Sequence, residues 1–323
     1  MGFQNMPIQA KKSFSRMGFA LLAIAGVTII LQIALMALLK PEGWLMWLST
    51  FAPLYLAGVP VGLLIINKLP VSPRESIDLG AKNFFLLMLM CFPMMYVGNI
   101  VGTLLSLLLS GGSSQNALET FAFDSNSLLK ILFLVVLAPV IEEFLFRKQI
   151  IDRCVQYGEK TAILFSALTF GLFHMNLYQF FYAFGLGLVF GYVYVRTRRV
   201  RYSIIMHMIV NFMGSVIAPA LISFVGEDAF NQLSSGQMEM DALMGLLPKL
   251  AGFALYLFAL FALSVAGLIV LITYAPRLVF ARTVEEIPKV YRFNTVYGNP
   301  GVILFTLLCI IVCILTLIQG IVN

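Results

Sequence analysis

Two adjacent acids and an arginine, Glu142-Glu143-x-x-x-Arg147, close a mostly apolar run that begins at Leu128. The chain has only two histidines, His174 and His207, and both also fall in apolar segments. Charge is expensive at bilayer depth, so ionisable groups placed there point to chemistry. On a helix, Glu143 and Arg147 are one turn apart and able to pair. Glu142 points about 100° away and cannot easily share that partner. The doublet thus divides into a held acid and a free one. Pro139, just upstream, removes a backbone donor and frees a carbonyl one turn earlier, which favours a kink beside the acids.

Two further pairs repeat the one-turn spacing, Phe170-x-x-x-His174 and His207-x-x-x-Asn211. A carboxylate and a histidine out of bulk water can relay a proton from a water nucleophile. Asn N–H and histidine are donors for a tetrahedral oxyanion. The types His174, His207 and Glu142 would equally serve as ligands of a zinc ion with an open fourth position. Metal-ligating histidines usually lean on a carboxylate or carbonyl. With Glu143 assigned to Arg147, no spare acid is expected near the imidazoles, so the reading favours a metal-independent water and leaves zinc open. Taken singly, each motif has a plainer explanation: a charged helix end, a structural histidine, or interhelical hydrogen-bond glue. Gly185-x-Gly187-x-x-x-Gly191 lacks the strand and Lys-Ser/Thr of a phosphate loop and reads as close helix packing.

The elements that must position these groups are membrane helices. Of 323 residues, 60% are hydrophobic and 11% charged, against about 25% charged in a soluble domain. The net charge of +6 sits in short loops, and no basic domain or aromatic platform for nucleic acid is visible. The four cysteines show no zinc-ribbon spacing, and Cys309 and Cys313 read as packing residues. Runs of roughly 20 apolar residues span a bilayer. They occur at Met17–Leu39, Leu45–Ile66, Phe84–Leu109, Leu128–Phe146, Gln179–Val195, Ser203–Val225, Leu247–Tyr274 and Val302–Val322. The basic residues before Met17 resemble a signal sequence, but the run is too long for a cleaved one and reads as a first membrane helix.

A shorter run, Thr161–Phe173, makes nine. With nine, the five segments that hold 18 of the 21 Lys and Arg share one side. These are the N-terminus, Asn67–Lys82, Arg147–Lys160, Arg196–Arg201 and Ala275–Asn299. That places the N-terminus in the cytoplasm and the C-terminus outside. The expected architecture is an all-α, polytopic bundle: an N-terminal region 1–127, a four-helix core 128–225 and a C-terminal region 226–323. If one helix runs to about Tyr157 and the next starts after Gly158, Glu142 and His174 stand at the same level, each 16 residues from the turn. The run ending at His174 is then able to turn back inside the protein, with Met175–Gln179 as irregular backbone lining a wet cavity.

In these residues the chain resembles the CAAX-protease and bacteriocin-processing (Abi) family of intramembrane proteases, marked by EExxxR, FxxxH and HxxxN on a shared four-helix core. All three motifs are present in order over about Leu128–Val225, under a third of the chain. The resemblance implies peptide-bond hydrolysis within the bilayer, on a membrane-embedded or lipidated peptide or protein. It implies that Glu142 and His174 activate water and that His207 and Asn211 support the oxyanion, with Glu143, Arg147 and Phe170 holding the site. The expected setting is a bacterial plasma membrane. A proton-coupled transporter would spread its ionisable groups along a path, whereas here they cluster. A non-catalytic scaffold or immunity protein would not need the full set.

Overall fold

In lipid every backbone polar group must be satisfied within the chain, and the apolar runs do so as helices. The computed structural model describes residues 6–72, 76–113, 116, 121–123, 126–226, 229, 235, 240–283 and 285–322. Ten helical elements follow one another: α1 Met6–Leu39, α2 Trp44–Ile66, α3 Ala81–Leu109, α4 (residues 127–157), α5 Glu159–Phe173, α6 Leu177–Thr197, α7 Val200–Val225, α8 Met240–Tyr274, α9 Lys289–Val296 and α10 Pro300–Val322. α1 begins well before the apolar run, at Met6, and carries Lys11, Lys12 and Arg16 on helix.

Seven of the described helices are long and apolar enough to cross a membrane, where the sequence reading expects nine. The two expected runs outside the seven, α4 and α5, carry Glu142-Glu143-x-x-x-Arg147 and Phe170-x-x-x-His174, while His207 and Asn211 lie on α7, one of the seven. α4 turns charged at Glu142. The 15 residues of α5 span about 22 Å at 1.5 Å each, short of a hydrocarbon core of about 30 Å. Between them a tight turn, Val155–Tyr157 followed by Gly158 at φ +122°, falls where the sequence places it. The backbone expected to be irregular over Met175–Gln179 is shorter than that. Met175 takes a positive φ of 53° and Asn176 is extended. The Asn176 side chain then accepts the Gln179 N–H at 2.9 Å and caps α6, so Gln179 is already helical.

α6 lies at the centre, packed against α3 and α5, while α4 packs on α5 and α7. The glycines of α6 permit this: a methyl group on Gly187 would press on Ala167 of α5, and one on Gly185 on Met94 of α3. α8 lies on α3, and α1 joins α2 to α9 and α10. The α1–α10 seam is the closest of these. A Cβ on Gly301 would overlap the Ser15 carbonyl, and one on Gly18 would overlap the backbone of Gly301.

One end of the bundle gathers all five basic segments. Asp152 pairs with Lys148 and with Arg198, and accepts from Tyr194 at 2.7 Å. Arg153 donates to the Ile66 carbonyl and to Asn67, and Arg199 pairs with Asp78. Glu159 pairs with Arg196 and accepts the Ala281 N–H at 2.7 Å. Lys11 donates to Asn294 at 3.2 Å.

Candidate active site

Three helices bring the motif residues together. On α4, Arg147 makes a two-pronged pair with Glu143, Nε to Oε2 at 2.9 Å and a terminal nitrogen to Oε1 at 3.1 Å. Both side chains are fully buried. A buried charge pair is tolerable only when its remaining donors and acceptors are met, and here they are. Arg147 donates from its other terminal nitrogen to Ser166 Oγ on α5 at 3.0 Å, and the Ser166 hydroxyl in turn donates to the Phe146 carbonyl at 2.8 Å. The guanidinium lies 4.7 Å from the centre of the Phe170 ring, a favourable cation–π distance. Glu142, next in sequence and a third of a turn away, keeps 19% of its side chain exposed. The held and the free acid are thus distinct in space.

His174 ends α5. Its Nδ1–H donates to the Phe170 carbonyl at 2.9 Å, since a carbonyl can only accept, which leaves Nε2 as the acceptor of the neutral ring. Its ring lies 5.0 Å from that of Phe170, edge to face, and Phe170 also borders His207. His207, on α7, lies between the two acids: Nδ1 is 3.2 Å from Glu143 Oε1 and Nε2 is 3.7 Å from Glu142 Oε2. The rings of Phe170 and Phe190 flank it at 5.8 and 5.4 Å.

The expectation that no acid is left to orient an imidazole is corrected by this geometry. Glu143 has two carboxylate oxygens, and Oε1 serves both Arg147 and His207. Among the described residues, no group of three His, Cys, Asp or Glu side chains converges as it stands on a metal-sized position.

Asn211 is placed by the backbone of α4. Residues Ile131–Leu137 form a π-helical segment, in which the Ala138 N–H reaches back to Phe133. The Leu134 carbonyl would next be met by residue 139, which is a proline and has no N–H. Asn211 Nδ2 donates to that carbonyl at 2.8 Å, leaving its second hydrogen for another acceptor. The freed carbonyl expected upstream of Pro139 is therefore present, and one motif satisfies the gap left by another.

Several residues of the site escape the three motifs. Ser166, which accepts from Arg147, stands one turn before Phe170, and Ser203, buried on α7, stands one turn before His207. Extending the four-residue spacing backwards finds both. Tyr55 of α2 packs against the Leu134 stretch of α4, and no local spacing announces it.

Comparison with known protein families matches residues 124–213 to the family described as Type II CAAX prenyl endopeptidase Rce1-like. No curated protein and no solved structure matches the chain. The matched stretch holds every motif residue above.

Proposed function

From residues 124–213 as a domain of the Rce1-like CAAX protease family, we propose that this chain is an intramembrane endopeptidase for a membrane-associated or lipidated peptide or protein. The observation that carries the reading is the meeting of Glu142, His174 and His207 from three helices around one held ion pair. Glu142, the exposed acid, takes a proton from water as the water oxygen attacks the scissile carbonyl. His174, with Nε2 unprotonated, positions the water and shares that proton. The proton then goes to the amine as the C–N bond breaks, leaving a carboxylate and a free N-terminus. His207 and the second N–H of Asn211 stabilise the oxyanion. With Nδ1–H directed at Glu143, His207 donates from Nε2 only as the imidazolium, so this role requires the charged ring.

The protease core is residues 128–225, held between the flanking regions 1–127 and 226–323. The end that gathers the basic segments faces the cytoplasm by the positive-inside rule, which puts the site in the inner half of a plasma membrane. Comparing the membrane proteomes of cells carrying wild type and Glu142→Ala tests the reading. Wild type should produce new N-termini that the variant does not; identical proteomes would end it.

The nucleophile is water activated by Glu142 and His174 without a metal. Elemental analysis of active protein, before and after chelation, tests this. Stoichiometric zinc whose removal abolishes cleavage and whose return restores it would replace this mechanism with a metalloprotease.

A further inference from the structure

Tyr55 stands on α2 in a π-helical segment, Leu54–Gly58, that follows Pro53. Its ring stacks on Phe51 at 6.2 Å, and Phe51 stacks in turn on Phe133 of α4 at 5.2 Å. This aromatic ladder sets Tyr55 against the same stretch of α4 that holds Leu134 and Leu137. The Tyr55 hydroxyl is buried and has no hydrogen-bond partner among the described residues. The Leu134 carbonyl on that stretch is the one that holds Asn211, so Tyr55 borders the turn of α4 that positions this site residue.

A buried donor left unpaired is costly, whereas a phenyl ring would fill the same space without that cost. The site is also short of donors. His207 spends Nδ1–H on Glu143, and Asn211 spends one N–H on the Leu134 carbonyl. An oxyanion needs preorganised donors at about 3 Å.

We propose that the Tyr55 hydroxyl is a further catalytic group, donating a hydrogen bond to the carbonyl oxygen of the scissile peptide as it becomes an oxyanion. This deepens the endopeptidase reading and rests on it. Tyr55 lies outside the matched residues 124–213, so the flanking N-terminal helices complete the site rather than merely enclosing it.

The test uses the full-length protein in detergent micelles with a quenched fluorescent peptide that ends in a prenylated CAAX sequence. Wild type, Glu142→Gln and Tyr55→Phe are compared. The expected result is cleavage by wild type, none by Glu142→Gln, and about 100-fold lower kcat for Tyr55→Phe. KM should change less than twofold, and Tm should be equal or higher. Full kcat in Tyr55→Phe beside an inactive Glu142→Gln overturns the inference alone. A fall in kcat that tracks a lowered Tm also overturns it. Wild type and Glu142→Gln cleaving alike overturns the endopeptidase reading and the inference with it. A second measurement places 3-fluorotyrosine at position 55 and adds a phosphinate analogue of the tetrahedral intermediate. The ¹⁹F resonance should shift on binding, and a resonance that stays fixed while the analogue binds counts against a direct contact.

Discussion

Glu142 and Glu143 are neighbours of the same type in opposite surroundings, one partly exposed and one fully buried. Glu143 is fully buried, with its oxygens committed to Arg147 and His207. Removing one partner of such a pair strands the other, at a cost of roughly 3–5 kcal/mol. Glu143→Gln and Arg147→Gln are therefore expected to lower folded yield and Tm together with activity. Glu142→Gln should leave yield and Tm near wild type and abolish cleavage; near-normal turnover would rule Glu142 out as the base. Size-exclusion yield, thermal unfolding and the peptide assay separate these outcomes. At this scale much was legible, because a held and a free acid follow from helical spacing alone. What was missed at Glu143 was capacity: a carboxylate has two oxygens and several lone pairs, so one pairing does not use it up. Tyr55 was out of reach because it comes to α4 only through the fold, from a helix far earlier in sequence.

The helices around the site share a departure from regular α geometry. π-helical segments occur at Leu54–Gly58, Ile131–Leu137, Phe144–Ile151 and Met213–Ile217. They bracket the two acids, contain Tyr55 and begin two residues after Asn211. Such segments turn side chains off the regular face and free backbone groups, and they recur at functional sites. The coupling between Pro139 and Asn211 gives a direct test. Asn211→Leu leaves the Leu134 carbonyl without its donor and should destabilise by about 1–3 kcal/mol. Pro139→Ala supplies an N–H at the position that lacks one, so Asn211→Leu should cost measurably less in that background. Equal costs in both backgrounds, read from a double-mutant cycle of denaturation, would separate the two residues. Apolar periodicity located most of the long helices to within a few residues; α1 and α8 start earlier than their apolar runs, α4 continues past its own, and α9 falls in a stretch read as a connector. It carries no mark of where the hydrogen-bond ladder slips, since a π segment and an α segment are equally apolar.

For the whole molecule, charge was the informative pattern. The basic loops picked out by composition are those that the ion pairs and hydrogen bonds of Asp152, Arg153, Glu159 and Lys11 gather at one end. The number of crossings was less legible, because α4 turns charged at the acids and α5 is too short to span. Single cysteines at Ser113, Arg199, Ser235 and Asn323 test the proposed orientation. Asn323 lies outside the described residues. A membrane-impermeant thiol reagent applied to intact cells should label positions 113, 235 and 323 and spare 199. A cytoplasmic position 323 would reduce the count below nine.

The seam in which Gly18 and Gly301 let α1 and α10 touch backbone to backbone also orders events during synthesis. The groove around Gly18 leaves the ribosome some 280 residues before its partner. Until then, that face of α1 must be covered by lipid or by the insertion machinery. A chain interrupted before residue 300 therefore displays an unmatched small-residue surface within the bilayer, and this surface distinguishes an unfinished chain from a finished one.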